Sequence, residues 1–365
     1  MTAAIGPGAR SRQTQFVLHL LGLAYGQVAS WRRGWYVRHP DARRRLASPV
    51  ISVGNLVVGG SGKTPVVAAL ARLLVAQGER PAILSRGYAR REPSDGVLVV
   101  SDTSAVLEPV ERSGDEPQML ARMLAGVPVL VCADRFLAGT LAERQFGCTV
   151  HLLDDGFQHL PLARDVDLLI VAPQDFDDAV LPEGRLREPI AVAAVADAVL
   201  VTGAPGRTDG PDQPSGSGPA FRVAMTVAAP RRVRPFGEPL PAGGGRRALA
   251  VAGIARPERF FATAREQGWT VVKEVAFRDH HWFTAEDVKE LVAAARAAGA
   301  DVMLTTEKDA VRLAGLGPLA AVAHDPGVEW AFLPIEVTVE PAPVFADWLR
   351  SRLQAARALR ARGSA

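Results

Sequence analysis

Cysteine is scarce in this 365-residue chain: Cys132 and Cys148 are the only two, and both lie in apolar, strand-like stretches. Two isolated cysteines supply neither a disulfide framework nor a cysteine-based metal cluster. The sequence therefore favours a reducing compartment.

A long apolar run is also lacking near the N terminus, where residues 16–26 form a short run that His19, Gly22 and Gly26 interrupt. A membrane-spanning helix needs about 20 predominantly apolar residues, so this run is a poor candidate for one. No small-residue cleavage site follows it, because residues 31–35 read Trp-Arg-Arg-Gly-Trp. A cleaved signal peptide is therefore not expected.

Acidic residues are rare in the first 47 positions, which hold eight arginines against the single acid Asp41, whereas the whole chain has a net charge of +3. A basic segment on a mildly acidic body indicates an anionic surface as its partner. An apolar helix over residues 14–33, flanked by Arg and Trp, suits the plane of a bilayer interface. The composition equally allows an N-terminal helix that packs on its own domain.

The remaining composition is that of a globular protein, with 48% hydrophobic and 22% charged residues. Strand-like runs alternate with helical ones, which predicts an α/β fold with a mostly parallel sheet and ligands at the carboxyl ends of its strands. The predicted strands cover residues 50–53, 81–84, 96–100, 127–131, 149–153, 166–171 and 198–201, and the predicted helices cover 66–76, 116–125, 135–145 and 190–196.

A break rich in Pro, Gly, Ser and Asp at residues 204–219 separates this series from a second one. The second series has predicted strands at 248–251, 271–275, 302–305 and 331–335, and predicted helices at 257–267, 285–298 and 349–362. The predicted organisation is an N-terminal membrane-interface helix and basic segment (1–47), a P-loop nucleotide-binding α/β domain (48–203), a linker region (204–247) and a second, smaller α/β domain that completes the active-site cleft (248–365).

The first predicted strand runs into a glycine-rich loop, Gly59-Gly60-Ser61-Gly62-Lys63-Thr64. The backbone amides of such a loop surround phosphate, the lysine reaches the β and γ phosphates, and the hydroxyl can bind Mg²⁺. Val57 stands where the first glycine of the usual pattern would be. A turn without a ligand would not need Lys63 and Thr64 beside Gly62, so the sequence predicts a P-loop that binds a nucleoside triphosphate.

Acidic pairs follow or precede predicted elements at two further places. Asp154 and Asp155 end an apolar strand, where a Walker-B acid would hold Mg²⁺ or its waters, although Asp-Asp-Gly is also a common turn. Asp115 and Glu116 precede a predicted helix, and by themselves they are typical of an N-cap.

Two loops carry further candidates. His280 and His281 are adjacent, which disfavours a metal pair and favours acid/base or ligand-orienting work, with a plain surface loop as the alternative. Arg187 and Glu188 lie in a charged loop at 181–189 that could clamp phosphate or form a solvated turn.

Together these segments resemble one family, the tetraacyldisaccharide 4'-kinases of lipid A synthesis. Small departures occur at Ala255-Arg256 and His281. The matching segments, in the family's order, are residues 53–55 with 59–65, 84–88, 114–117, 134–135, 153–159, 181–182 with 186–189, 252–260, 279–280 and 306–310.

The resemblance implies that ATP phosphorylates the 4'-hydroxyl of a tetraacyldisaccharide 1-phosphate to give lipid IVA, with Mg²⁺ as cofactor. It implies a peripheral protein on the cytoplasmic face of the bacterial inner membrane, whose N-terminal helix contacts the membrane surface, with no nucleic-acid partner. The residues that it marks are Asp115 as catalytic base with His280 and Lys63 as further catalytic residues; Gly59, Gly60, Ser61, Gly62, Lys63 and Thr64 for ATP; Thr64, Asp154 and Asp155 for metal; and Asn55, Tyr88, Arg135, Gln158, Arg187, Glu188 and Asp279 around the substrate cleft.

A rival hypothesis is a membrane-recruited P-loop switch that hydrolyses nucleotide and modifies no small molecule. It explains the phosphate loop and the basic N terminus, but it leaves Asp115, the Asp279-His280 loop and the second α/β series without a role. A requirement for an acylated disaccharide during nucleotide turnover distinguishes the two hypotheses.

Overall fold

The computed structural model describes residues 12–59, 62–88, 90–203, 218–241, 245–316 and 328–363. The chain divides into two compact units, each assembled from separate stretches of sequence. Unit 1 comprises Met1–Lys63, Asp155–Val223 and Val339–Ala365, and unit 2 comprises Thr64–Asp154 and Ala224–Thr338. The domain boundaries expected from the sequence stay a prediction.

Helices and strands alternate along most of the described chain. The strands are β1 Val50–Asn55, β2 Pro81–Ser85, β3 Leu98–Ser101, β4 Val129–Val131, β5 Val150–Asp154, β6 Val166–Val171, β7 Ala198–Thr202, β8 Ala220–Val227, β9 Arg231–Arg232, β10 Arg247–Ala252, β11 Thr270–Ala276, β12 Val302–Thr306, β13 Glu329–Leu333 and β14 Ile335–Glu340. The α-helices are α1 Arg12–Arg38, α2 Lys63–Ala76, α3 Val110–Ser113, α4 Asp115–Met123, α5 Arg135–Phe146, α6 Pro257–Glu266, α7 Ala285–Ala298, α8 Glu307–Ala314 and α9 Ala342–Gly363.

Unit 1 is built on parallel strands in the order β8-β7-β6-β1. Residues Ile51 to Asn55 of β1 pair in register with Val166 to Ile170 of β6. All six residues of β1 are buried, as expected for a parallel strand that is covered on both faces. The carboxyl end of β1 therefore delivers Asn55 to the start of the phosphate loop.

Unit 2 contains two groups of strands. In the first, β5, β2 and β4 pair in parallel and β3 adds an antiparallel edge. In the second, the order is β11-β10-β12-β13-β9, parallel except for β9. Both groups are mostly parallel, and the predicted α/β class is confirmed.

The second sheet of unit 2 buries both faces because successive side chains of a strand point in opposite directions. Leu249 and Val251 of β10 pack in the cluster that contains Leu291 of α7. Ala248, Ala250 and Ala252 of the same strand pack in the cluster that contains Phe260 and Phe261 of α6. Helices α6 and α7 thus cover opposite faces of this sheet.

Helix α1 buries two of its glycines and exposes most of its large apolar side chains. Gly22 and Gly26 are buried, and a Cβ built on Gly22 would lie 3.1 Å from the carbonyl oxygen of Val180. Nine large apolar side chains of this helix are exposed: Phe16, Val17, Leu20, Leu21, Leu23, Tyr25, Val28, Trp31 and Val37. Within the described part of the chain, no helix has the length and apolar content needed to cross a membrane.

Several elements differ from the sequence-based expectation. Strands β8 and β9 lie inside the region predicted as a linker, of which residues 204–217 and 242–244 lie outside the described residues. The predicted helix at 190–196 is a 3-10 helix, Ile190–Val195.

Candidate active site

The predicted phosphate loop connects the end of β1 to the start of α2. Gly59 and Gly62 have φ angles of +102° and +75°. Side chains with a Cβ rarely adopt such angles, so glycine is the residue that permits this turn. Gly60 and Ser61, also predicted to bind phosphate, lie outside the described residues.

Lys63 lies at the first position of α2 with its ammonium turned back toward β1. Its Nζ donates to Asn55 Oδ1 at 3.0 Å and lies 3.5 Å from Asp155 Oδ1. Thr64 follows it and is buried. The first turn of a helix has free amides and a partial positive charge, so a phosphate group bound here would meet the amides and the lysine together.

Asp154 and Asp155 have different surroundings although they are adjacent. Asp154 is the last residue of β5, is buried, and accepts a hydrogen bond from Ser85 Oγ at 3.3 Å. Asp155 has a φ of +54° and accepts from Arg187 Nη1 at 2.8 Å through Oδ2. Burial would raise the pKa of Asp155, but the charges of Lys63 and Arg187 hold it below its usual value. This carboxylate is therefore ionised at neutral pH.

The oxygens in this part of unit 1 suit a hard cation. Asp155 Oδ1 is buried and accepts no hydrogen bond from the described residues, since Lys63 lies beyond normal hydrogen-bond distance. No group of three or more His, Cys, Asp or Glu side chains in the described ranges could hold a metal alone. Mg²⁺ usually binds one or two protein carboxylates together with phosphate oxygens and waters. The carboxylate of Asp155 fits that pattern.

Arg187 connects three of the predicted residues into what we call the phosphate-loop cluster: Asn55, Lys63, Asp155, Gln158 and Arg187. Its guanidinium donates to Gln158 Oε1 at 3.3 Å and to Asn55 Oδ1 at 3.4 Å, in addition to Asp155. Gln158 Nε2 in turn donates to the carbonyl oxygen of Asn55 at 3.0 Å. The cluster holds two cations against one carboxylate, which favours an anionic ligand.

Glu188 lies beside Arg187 but is occupied by another partner. Arg33 of α1 donates to both of its carboxylate oxygens, at 2.6 and 2.8 Å, and to the carbonyl oxygen of Phe157 at 3.0 Å. Both side chains are buried. Glu188 therefore ties α1 to the segment that carries Arg187, and its contacts are those of a structural residue.

A second cluster, in unit 2, forms around Asp115 at the first position of α4. Asp115 is buried, and its Oδ1 accepts from the backbone amide of Glu116 at 2.9 Å. Its Oδ2 contacts His280 Nδ1 at 2.9 Å, a nitrogen of Arg312, and Lys308 Nζ at 3.5 Å. We call Asp115, His280, Lys308 and Arg312 the Asp115 cluster.

The topology of the second sheet explains why these residues meet. From β10 the chain moves first to the neighbour on one side, β11, and then to the neighbour on the other, β12. Parallel sheets place ligands at the carboxyl ends of strands where the strand order reverses in this way. His280 follows β11 and α8 follows β12 at that edge, and Val110, Met119 and Val311 form the apolar contact that joins α8 to the region around Asp115.

Hydrogen bonding assigns the imidazole tautomer. Lys308 has only donors, so His280 Nε2, at 3.3 Å, is the acceptor, and Nδ1 carries the proton that Asp115 accepts. Burial would raise the pKa of Asp115, but the hydrogen bond from His280 and the charges of Lys308 and Arg312 hold it well below its usual range. Asp115 is therefore a carboxylate with a fixed orientation.

The remaining predicted residues have varied positions. Tyr88 is 72% exposed, and its ring centroid lies 6.2 Å from that of His280. Asp279 Oδ1 accepts from the backbone amide of His280, and its other oxygen lies 3.9 Å from His280 Nε2. Arg135 is buried at the start of α5 and donates to the carbonyl oxygen of Ala133. Tyr88 and Asp279 thus border the Asp115 cluster, whereas the hydrogen bond from Arg135 to Ala133 joins residues two positions apart.

Sequence reasoning missed Arg312, Lys308 and Arg33 as site residues. Lys308 and Arg312 are four positions apart, so they share a face of α8, directly after the carboxyl end of β12. Two cationic side chains four positions apart, directly after a predicted strand, were the sequence pattern from which this pair could have been predicted. For Arg33, the sequence indicated only that it belongs to the basic N-terminal segment, and no pattern predicted its pairing with Glu188.

Comparison with known proteins gives a consistent result. A profile of the family described as tetraacyldisaccharide-1-P 4'-kinase (LpxK) matches residues 14–354. The tetraacyldisaccharide 4'-kinase of Geobacter metallireducens is 41% identical over 307 residues, covering 81% of this chain and 89% of that protein. The protein of the same name from Pelobacter propionicus is 41% identical over 354 residues, covering 94% and 95%.

A solved structure agrees in fold. The crystal structure titled as the "apo" form of LpxK from Aquifex aeolicus in complex with ATP superposes with a TM-score of 0.76 at 30% identity. The match covers 93% of this chain and 99% of that one.

Proposed function

The chain belongs to the tetraacyldisaccharide 4'-kinase family, and from this premise we propose how its residues transfer the γ-phosphoryl group of ATP to the 4'-hydroxyl of a tetraacyldisaccharide 1-phosphate. The products are ADP and lipid IVA. The observation that carries the assignment of residues is the pair of clusters: a cationic phosphate loop in unit 1 and a buried, oriented carboxylate in unit 2.

The phosphate-loop cluster binds ATP. Lys63 exchanges its contacts with Asn55 and Asp155 for the β and γ phosphates, and the glycines at 59, 60 and 62 with Ser61 supply backbone amides. Arg187 adds a second cation near the same place. When ATP binds, Lys63 therefore exchanges the carboxylate of Asp155 for phosphate groups that carry more negative charge.

Mg²⁺ is the implied cofactor, and Thr64, Asp155 and Asp154 are the residues that would hold it. Asp155 is the nearer carboxylate in this assignment, because its Oδ1 lacks a hydrogen bond from the described residues whereas Asp154 accepts from Ser85. When bound, the ion would neutralise charge on the β and γ phosphates.

Asp115 is the base that accepts the proton of the 4'-hydroxyl, and His280 orients it. The hydroxyl oxygen forms a bond to the γ-phosphorus as the bond to the β–γ bridging oxygen breaks, and ADP leaves. In a loose transition state the hydroxyl becomes acidic only late in the transfer. A weakly basic carboxylate that is already ionised and fixed by Arg312 and His280 therefore suffices. Tyr88 and Asp279 border the place where the sugar would lie.

The acyl chains of the substrate remain in a bilayer, so the enzyme must work at its surface. The exposed apolar side chains of α1 and the arginines beside them fit the plane of an anionic bilayer interface. This supports a peripheral protein on the cytoplasmic face of the bacterial inner membrane. The alternative, α1 as a packed helix of its own domain, leaves nine large apolar side chains in water.

The test supplies γ-labelled ATP and tetraacyldisaccharide 1-phosphate in detergent micelles and follows label into the lipid. We expect label in the lipid with wild-type protein, and none with Lys63→Ala or with an acceptor already phosphorylated at the 4' position. Release of label as inorganic phosphate at the same rate with and without the disaccharide would instead support the nucleotide switch.

A further inference from the structure

Three donors converge on a single oxygen of Asp115. His280 Nδ1 lies 2.9 Å from Oδ2, a guanidinium nitrogen of Arg312 contacts the same atom, and Lys308 Nζ lies 3.5 Å away. A carboxylate oxygen offers two lone pairs. The third donor is therefore in excess, and Lys308, at the longest distance, is the one bound most weakly.

Arg312 cannot leave this arrangement easily. Its side chain is 1% exposed, and Nη1 donates to Asp309 Oδ1 at 2.9 Å and to the carbonyl oxygen of Gly253 at 3.2 Å. Asp309 is fixed in turn by Thr306 Oγ1 at 2.7 Å and by the amide of Gly253 at 3.0 Å. Arg312 is a permanent partner of Asp115.

Lys308 has the opposite character. Its contacts lie at 3.3 Å from His280 Nε2, 3.5 Å from Asp115 and 3.7 Å from Glu116 Oε1, all longer than the 2.7–2.9 Å of a strong charge-assisted hydrogen bond. The side chain is 21% exposed. A lysine on a flexible stem with loose contacts and an open path to solvent can move.

The ammonium of Lys308 also lies close to the place where the acceptor must bind. It is 3.5 Å from Asp115 Oδ2 and 3.3 Å from His280 Nε2. Oδ2 already accepts from His280 and Arg312, whereas the hydrogen bond described for Oδ1 comes from the backbone amide of Glu116, which leaves a lone pair of Oδ1 for the hydroxyl proton. A hydroxyl bound there brings the phosphoryl group near Lys308, whose loose contacts let it exchange Asp115 for the phosphoryl oxygens.

We propose that Lys308 is a further catalytic residue, a displaceable cation that leaves Asp115 when the acceptor hydroxyl arrives and binds the phosphoryl group in transfer. This inference rests on the proposed function. Asp115, Glu116 and Asp279 place negative charge around the acceptor. The incoming phosphoryl group is itself anionic, so a cation on its oxygens lowers the barrier. Lys308 forms and breaks no covalent bond.

The same movement makes Asp115 a better base. A cation 3.5 Å from a carboxylate favours its ionised form, so its departure raises the proton affinity of Asp115 as the hydroxyl begins to lose its proton. The groups that continue to face Asp115 are His280 and Arg312, with Asp309 behind Arg312 and Glu116 on the same helix. One lysine thus serves both the phosphoryl group and the base.

The experiment compares Lys308→Met, Lys308→Arg and the control Lys289→Met, a lysine of α7 that is more than half exposed and paired only loosely with Glu286. We expect Lys308→Met to lower kcat by about 10²-fold, the scale of one lost transition-state donor, with KM for ATP within about threefold. Lys308→Arg keeps the charge and should retain more activity. Lys289→Met should match wild type.

The split between kcat and KM, together with Lys308→Arg, separates catalysis from structure. A structural role would lower the urea midpoint of unfolding of Lys308→Met, whereas a catalytic role leaves that midpoint and the KM for ATP close to wild type. A kcat of Lys308→Met within threefold of wild type, an effect on the KM for ATP alone, or equal losses of kcat in Lys308→Met and Lys308→Arg would each overturn the proposal. Asp115→Asn is measured in parallel, and only full activity there would count against the proposed function itself.

Discussion

The contact between His280 Nδ1 and Asp115 Oδ2, at 2.9 Å, predicts that these two residues act as one kinetic unit although they are 165 positions apart. Asp115→Asn removes the proposed proton acceptor and keeps the shape of the side chain. His280→Gln removes the donor at the Nδ1 position, whereas His280→Asn places an amide nitrogen close to it. Asn also tolerates the φ of +57° found at position 280.

The structure sets the relative sizes of the losses. Proton acceptance by a positioned group typically contributes about 10²–10⁴-fold, so Asp115→Asn should lose roughly that much in kcat. His280→Gln should lose less, about 10–10²-fold, because Arg312 still fixes the same oxygen of Asp115. His280→Asn should lose less than His280→Gln, and the double variant Asp115→Asn/His280→Gln should be close to Asp115→Asn alone.

The assay is transfer of label from γ-labelled ATP to the disaccharide lipid at saturating substrate, with ATP affinity measured separately. His281→Gln is the matched control. This neighbouring histidine bonds to Asp287 at 3.0 Å and stacks on Phe277, so its loss perturbs the same loop but leaves Asp115 its donor.

Multiplicative losses in the double variant would refute the reasoning, since they would mean that His280 and Asp115 contribute independently. Equal losses in His280→Asn and His280→Gln would refute the role of the Nδ1 donor. A loss in His281→Gln as large as that in His280→Gln would show that the loop as a whole, and not the contact with Asp115, limits the rate.

Three further predictions concern other parts of the molecule. Burial raises the pKa of Glu307 from 4.5 to about 7, so the wild type loses stability as pH rises between those values. In urea unfolding, Glu307→Gln should be as stable as wild type at pH 4.5 and more stable by up to about 3 kcal/mol at pH 8. Equal stability of the two proteins at pH 8 would contradict this prediction. Arg33→Met leaves Glu188 buried without its cation, so it should lower the free energy of unfolding in urea by about 3–5 kcal/mol. The double variant Arg33→Met/Glu188→Met should regain most of that stability. A loss below 1 kcal/mol in the single variant would mean that the pair is not buried in solution. A triple variant with Leu20, Leu21 and Leu23 changed to Gln should bind anionic vesicles about 10²-fold more weakly, at ~1 kcal/mol per half-exposed leucine. Its affinity for ATP should be unchanged. Unaltered vesicle binding would show that α1 is not the membrane contact.

Elements with strong local signals could be predicted from the sequence closely. Helix α7 spans Ala285–Ala298 as expected, because Thr284 and Asp287 form a capping box at its start and Gly299 ends it in the left-handed conformation. Strand β6 also spans the expected residues, since Val166–Val171 is a short, mostly apolar run that follows Asp165 and ends just before Ala172-Pro173. In both cases the information lies within a few positions of the element.

Strand β8 could not be predicted from the residues near it in sequence. It was predicted as part of a linker because Pro and Gly surround it, yet Val199 to Thr202 of β7 pair with Ala220 to Val223. Only Phe221 and Val223 of this strand are fully buried. Its stability comes from a pairing about 20 residues distant, which the composition of the segment does not reveal.

The candidate site divides in the same way. The glycine-rich loop between β1 and α2 could be predicted because glycines, Lys63 and Thr64 are contiguous, and its binding of phosphate stays a prediction. The pairing of Asp115 with His280 was expected only from the family resemblance. The contact of Arg312 with Asp115 joins residues 197 positions apart. The proposed choice of Asp155 over Asp154 depends on which carboxylate oxygens accept hydrogen bonds. No local pattern contains either fact.

The two described non-glycine residues with φ in the left-handed region are Asp155 and His280, one from each cluster. Such a conformation costs about 1–2 kcal/mol for a residue with a Cβ, so both positions need compensation. Asp155 has it in Lys63 and Arg187, and His280 has it in Asp115. Each side chain leaves the direction of its preceding strand, β5 or β11, and turns toward charged partners. The backbone strain is thus located at the residue proposed to hold the cation, Asp155, and at the residue proposed to orient the base, His280.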